Sequence, residues 1–229
     1  PAATSAQAGV TLQNGLAGLV TAFDGVRPFS TSLASATEVA AASGNATGVT
    51  YTSDGALVEA GDTLSFNTAG ILNNQQGRIS FTFTPEWNAA DDASNNVTMR
   101  MLFSCGSFEL KKYYHYDPVT GNSIHFLTFN HDEGDGTRHE CYSLNDCPVQ
   151  NWMAGESYTI EMEWDLTLPA GEQYLQLKVG GEIISRYEST WANLAAMDSI
   201  FALGTNNLNG AQPADGAFSD LMIERVLLA

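Results

Sequence analysis

Basic residues are scarce in this chain, long apolar runs are absent, and cysteine barely occurs. Nine Lys and Arg side chains stand against 26 Asp and Glu in 229 residues, a formal charge of 9 − 26 = −17. Such a field repels phosphate backbones and argues against nucleic acid as a partner. No apolar stretch approaches the roughly 18 to 20 residues of a membrane-spanning helix, so no membrane insertion of that kind is expected. The three cysteines, Cys105, Cys141 and Cys147, are too few for a disulfide scaffold, and they show no ligand spacing for structural zinc. The loop from Cys141 to Cys147 is a disulfide candidate, with Cys105 an equal partner for either. The odd count leaves at least one thiol free or paired between chains, and buried reduced cysteines are the alternative to any disulfide. Apolar residues, by contrast, are plentiful. At 44% of the sequence they are too many for a disordered chain, and the length suits one large domain, or one domain plus an arm.

Residues 1–45 differ from the rest. They are rich in Ala, Gly, Ser and Thr, with scattered apolar positions such as Val10, Leu16, Phe23, Phe29 and Leu33. Thr31 to Ala42 predicts a short helix, and the remainder has no sustained period. Such a segment buries too little surface to order itself. It reads as an N-terminal extended arm, ordered by docking on its own domain or on a neighbouring subunit. Pro1 to Ala8 has neither the basic nor the apolar region of a signal peptide. That fits a leader already removed or an initiator Met already trimmed, and both stay open. Asn45-Ala46-Thr47 and Asn96-Val97-Thr98 are glycosylation sequons of a kind that also arises by chance in a Thr-rich chain.

From about Gly48 the pattern alternates. Ile79, Phe81 and Phe83 oppose Ser80, Thr82 and Thr84. Val97, Met99, Met101 and Phe103 oppose Thr98, Arg100 and Leu102. Tyr158, Ile160, Met162 and Trp164 oppose Thr159, Glu161, Glu163 and Asp165. Period two marks strands with one buried face. Turn clusters such as Asp132-Glu133-Gly134-Asp135-Gly136 separate them. Residues 46–229 therefore predict an all-β antiparallel β-sandwich of the jelly-roll kind.

The order of motifs resembles the concanavalin A-like, laminin-G-type lectin/glucanase family. Gly77 to Trp87 resembles its G-x-I-x-F-x-x-x-P-x-W strand, and Met101 to Gly106 its LFS-x-G strand. Trp152 to Asp165 follows W-x-x-G-x-W-H-x-V-A-x-x-W-D, and Leu175 to Ile184 follows L-Y-V-D-G-x-x-V. Phe201 to Gly204 and Asp215 to Ile223 complete the series. The family implies the sandwich fold but no single activity, because it serves lectins, glycosidases, lyases and structural modules. Ser157-Tyr158 replaces the usual Trp-His, and Gly180 replaces the turn Asp. Ser219 replaces an Asp that often ligates structural calcium in relatives. A calcium at one edge would then draw on Asp24, Asp215 and Asp220.

Glu161, Glu163 and Asp165 share one strand face, with neighbouring Cβ atoms about 6 to 7 Å apart. Retaining glycoside hydrolysis uses carboxyl groups about 5 to 5.5 Å apart. In laminarinase-type glycosidases, however, the acidic strand lies upstream of the one residues 157–165 resemble, so a solvated sheet face is the plainer reading. Ser123-Ile124-His125 and Lys111 to Tyr116 faintly resemble strands of jelly-roll polysaccharide lyases, in reversed order and without the R-x-E-x-R strand. His131, His139 and Asp132 lack a regular ligand spacing. No catalytic residue is assigned, and a lyase or hydrolase remains an alternative.

Without a reactive constellation, two expectations remain. The first is a non-catalytic structural or recognition subunit of an extracellular, cell-surface or virion-surface assembly. Residues 1–45 would contact copies of the chain or other subunits. The second is a glycan-binding module. Its rings would come from Tyr113, Tyr114, Tyr116, Trp87 and Trp191, and its hydrogen bonds from Asn130 and Asp132, because a pyranose face stacks on an aromatic ring. Core packing competes for each Trp, and adjacent Tyr113 and Tyr114 must face opposite sides of a strand. No cofactor is required beyond the calcium considered above.

Overall fold

The computed structural model describes residues 28–95, 97–106, 108–117, 122–143, 148–206 and 210–225. Among them, antiparallel strands build two sheets. In the eight-stranded sheet the order is β13 (Glu182–Ser189), β12 (Gln173–Val179), β11 (Tyr158–Asp165), β6 (Gln76–Pro85), β15 (Gly216–Glu224), β4 (Gly55–Val58) and β3 (Thr50–Thr52). A further strand, β1 (Phe29–Thr31), pairs with Leu221–Ile223 of β15, end to end with β4. The seven-stranded sheet runs β10 (Glu140–Tyr142), β9 (Asn122–His131), β8 (Phe108–Asp117), β7 (Met99–Cys105), β14 (Ile200–Leu203), β5 (Thr63–Asn67) and β2 (Gly44–Thr47).

The alternation predicted for β6 and β11 holds in register: Ile160 lies opposite Phe81 and Met162 opposite Ile79. Their apolar side chains, with Leu175, Leu177 and Phe218, form one wall of the core. Phe66, Phe103, Phe108, Leu110, Leu127, Phe129 and Phe201 form the other. Phe108 meets Trp164 across the gap at 4.7 Å between ring centroids. Gly55 carries φ +115°, and a Cβ there would run into the Phe218 carbonyl, so the turn into β4 requires glycine.

Two expectations change. The first is the arm boundary, because residues 28–45 belong to the sandwich. Leu33 and Val39 are fully buried, β1 extends the larger sheet, and β2 forms the edge of the smaller one. Between them lies α1 (Ala36–Ala41), within the predicted helical span. Ser35 Oγ accepts from the Glu38 amide at 3.3 Å, and the Glu38 carboxylate accepts from the Ala34 amide at 3.0 Å, a reciprocal cap. Scattered apolar residues looked aperiodic because strand, helix and strand each bury only one or two of them. The part of the expected arm in residues 1–27 lies outside the described residues.

The second change is in β7. A bulge at Leu102 shifts the register between Met101 and Phe103. An extra residue reverses the facing of everything before it, so Met99 and Met101 turn outward and Arg100 turns in. Arg100 then enters a buried ionic centre at one end of the sandwich. Asp92 Oδ1 accepts from Arg100 Nη2 at 3.0 Å and its other oxygen from Lys112 Nζ, while Arg100 Nη1 donates to Asp215 Oδ2 at 2.6 Å. The guanidinium lies 4.4 Å from the Trp87 ring centroid. Burial pushes the Lys112 ammonium down to about 7, and the Asp92 carboxylate opposes that loss of charge.

Cys105 and Cys141 are buried free thiols. Cys141 lies opposite Phe129 on the core side, and burial pushes it up to about 11. Its expected disulfide partner, Cys147, lies outside the described residues. No described helix is long and apolar enough to cross a membrane.

Candidate functional site

The outer face of the seven-stranded sheet collects the polar members of its alternating strands. Pairing places Glu109, Lys111 and Tyr113 of β8 beside Asn130, Thr128 and Phe126 of β9. Glu140 and Tyr142 of β10 continue the same rows. On the other side of β7, Ser104 aligns with Ala202, then Ser65, then Asn45. Polar side chains at the centre of this face, namely Ser65, Ser104, Lys111, Thr128 and Asn130, are nearly inaccessible. They form a floor beneath their larger neighbours.

Two features stand above that floor. Tyr113 and Phe126 stack at 5.5 Å with planes 19° apart, and Tyr142 is 48% exposed. Towards the opposite edge a groove of about 650 Å³ is lined by Asn45, Thr47, Thr63, Ser65, Asn67 and Ile200, among others. β5 makes this wall polar by its sequence: Thr63, Ser65 and Asn67 alternate with the core residues Leu64 and Phe66.

Charge on the face is internally paired. Lys111 contacts the Glu109 carboxylate. Arg138 grips Asp132 through Nε at 3.2 Å and Nη2 at 3.0 Å. Asn130 Nδ2 lies 3.4 Å from Glu109 Oε2 and 3.5 Å from Asp132 Oδ1. Behind Asp132, the buried Glu133 carboxylate anchors the turn: it accepts from His139 Nε2 at 2.7 Å and from the Ala192 and Asn193 amides at 2.9 and 2.5 Å. The His139 and amide bonds hold Glu133 below the ordinary carboxylate range.

Of the residues expected to bind sugar, the structure brings Tyr113, Asn130 and Asp132 to this face. Tyr114 points the other way, its ring 5.0 Å from His125. Tyr116 is 52% exposed near the far end of the β8–β9 hairpin. Trp87 and Trp191 are interior: Trp87 lies under Arg100 and donates to the Ala214 carbonyl at 2.7 Å, and Trp191 packs on His139 at 4.2 Å. Phe126, Tyr142, Lys111 and the β2–β5 groove were missed. Asn122–His131 carries apolar residues on both faces, so its outward side could not be told from its pattern.

The lyase-like strands do meet, because Tyr114 lies opposite His125. They face inward, however, where burial and nearby Lys112 push His125 down to about 4. Of the carboxylate trio on β11, Glu161 and Glu163 sit in an ion-pair lattice with Arg78 and Lys178 on the outer face of the other sheet, and Asp165 accepts from the Thr167 amide and hydroxyl. Glu163 accepts from Tyr174 at 2.8 Å, from Arg78 Nη2 at 3.1 Å and from Lys178 at 3.3 Å. Burial alone would raise its pKa, but these partners hold it below the ordinary value. A general acid needs the opposite shift.

The calcium residues do not assemble. Asp215 engages Arg100, and Asp220 lies further along, at the irregularity of β15 between Ser219 and Met222. Asp24 lies outside the described residues. Among the described residues no three His, Cys, Asp or Glu side chains converge to hold a metal ion.

No family model and no curated protein matches the chain. Solved structures do. The botulinum neurotoxin serotype D binding domain is 12% identical with a TM-score of 0.56, matching 87% of this chain and 48% of that one. The botulinum neurotoxin type G receptor binding domain gives 11%, 0.55, 87% and 48%. The likeness is one of fold, an antiparallel β-sandwich. The chain spans about half the length of those toxin domains. It is also similar to the alginate lyase Aly36B, at 11% identity and a TM-score of 0.52, over 88% of this chain and 98% of that one.

Proposed function

We propose that the chain is a carbohydrate-binding β-sandwich module whose site is the outer face of the seven-stranded sheet. One observation carries the reading: a groove of about 650 Å³ walled by hydroxyl and amide side chains opens on the same sheet face as the Tyr113–Phe126 ring pair. A pyranose needs both parts, planar hydrogen-bond partners for its hydroxyls and an aromatic surface for its apolar side. Seven strands at about 4.8 Å spacing leave room for several sugar units laid across the face. Binding is favoured over hydrolysis because Glu161 and Glu163 are committed to ion pairs and Asp165 to its own turn through Thr167. An extracellular or cell-surface location belongs to the same proposal.

Titration calorimetry against an oligosaccharide panel tests it. Tyr113→Ala is expected to weaken binding by about tenfold or more, consistent with loss of roughly 1.4 kcal/mol of stacking. Tyr114→Ala, on the opposite face, is expected to leave binding within about twofold. Equal loss in both variants, or no glycan bound by the unaltered chain, refutes the assignment of this face.

The subunit role expected from the leading residues rests on residues 1–27. Light scattering before and after their deletion tests it, and an unchanged mass rules out a contact through that segment.

A further inference from the structure

We infer that the glycan this face accepts is uncharged. The inference rests on the binding reading above and adds the charge class of the ligand. Of the nine basic residues in the sequence, Arg78, Arg100, Lys111, Lys112, Arg138, Lys178 and Arg186 each form an ion pair with a carboxylate. Arg225 follows β15 and has contacts of its own, and Arg27 lies outside the described residues.

Two of the paired cations stand on the candidate face. Lys111 is held by Glu109, and Arg138 is forked onto Asp132. Glu140 points outward from β10 as a third carboxylate, and Asp132, Glu140 and Glu109 all act on the Arg138 guanidinium. Among Lys, Arg, Asp and Glu, the described face thus carries three anions against two cations. β2, β5 and β14, which wall the groove, contribute none.

A uronate or sialate is recognised by guanidinium or ammonium donors that are still open to it. Here its carboxylate would have to compete with Glu109 or Asp132 for that cation. The released carboxylate would be left unpaired, partly buried and beside other anions, an unfavourable exchange. A neutral sugar meets no such competition. Asn45, Thr47, Thr63 and Asn67 offer uncharged donors and acceptors, and Tyr113 offers its ring. On the same face, Thr128 Oγ1 belongs to a residue 1% exposed and has no hydrogen-bond partner. It sits in register between Lys111 and Tyr142, a neutral hydroxyl at the centre of the floor.

The test titrates the full chain with neutral xylo-, cello- and galacto-oligosaccharides and with anionic oligoalginate, oligogalacturonate and sialyllactose. Each is measured at about 50 and about 500 mM salt, which spans strong to weak screening. At least one neutral probe is expected to bind about tenfold tighter than every anionic one, with less than about threefold change in Kd across the salt range. Asp132→Asn releases Arg138 and is expected to raise the affinity for an anionic probe by about fivefold or more. An anionic glycan bound by the unaltered chain as tightly as the best neutral one overturns the inference and leaves the binding reading standing. No gain in the Asp132→Asn protein also overturns it. Failure of every probe in both classes removes the binding reading itself.

Discussion

Asp92 shows how much one side chain can hold. It is buried on the short helical turn Asp92–Asn95, and it neutralises Arg100 and Lys112 together. Removing one member of a buried charge cluster leaves the others uncompensated, which costs about 3 to 5 kcal/mol. Asp92→Ala is expected to lose stability of that order in urea unfolding, whereas Asp91→Ala, on an exposed neighbour, should change it by less than about 0.5 kcal/mol. A loss no larger than that of Asp91→Ala would show that the centre is solvated rather than sealed. Trp87 belongs to the same centre. Its indole is bonded to a backbone carbonyl and covered by a guanidinium, so its aromatic surface is not open to a sugar. Tyr113, stacked on Phe126 and only half-buried, keeps that capacity.

The β8–β9 hairpin is the element on which site and stability meet. One side carries Tyr113 and Phe126 to the candidate face. The other carries Lys112 and His125 into the interior. His125 is pushed from 6.5 down to about 4 by burial, with Lys112 adding to the effect. The unfolded chain therefore binds a proton at His125 before the folded one does. Its contribution to stability is complete above pH 6.5 and declines as pH falls towards about 4. The urea midpoint is expected to drop across that window, and His125→Leu is expected to flatten the drop. A slope that persists unchanged in the variant would assign it to another group; Glu133, whose lowered pKa withdraws stability only as pH falls below 4.5, adds loss only at the acid end. In β7 the bulge at Leu102 performs a similar sorting, since without it Arg100 would face solvent and Met101 the core.

At the scale of the whole molecule, two layers share one core, and the leading described segment is part of both. Truncation after residue 27 is expected to retain cooperative unfolding, since the first described strand pairing begins at Phe29. Truncation after residue 45 removes β1, all of α1, the first two residues of β2 and the buried Leu33 and Val39. It is expected to cost at least about 3 kcal/mol and to expose β5 as a new sheet edge. Thermal melts and size-exclusion profiles distinguish these outcomes, and equal stability of the two truncations would restore an arm boundary near residue 45.

Local alternation in the sequence settled the sandwich class, the approximate spans of β6 and β11, and which face of each turns to the core. It did so because a strand's two faces are decided by neighbours two residues apart. The opposition of Tyr113 and Tyr114 was legible for the same reason. Which strands lie side by side is a long-range matter that period two does not encode. Only the tertiary structure joined Asn45, Ser65, Ala202 and Ser104 into one row, flipped Arg100 inward through a single extra residue, and drew Trp87 and Trp191 away from solvent. A face that binds is made of residues from strands distant in sequence, so its composition follows from pairing rather than from any one segment.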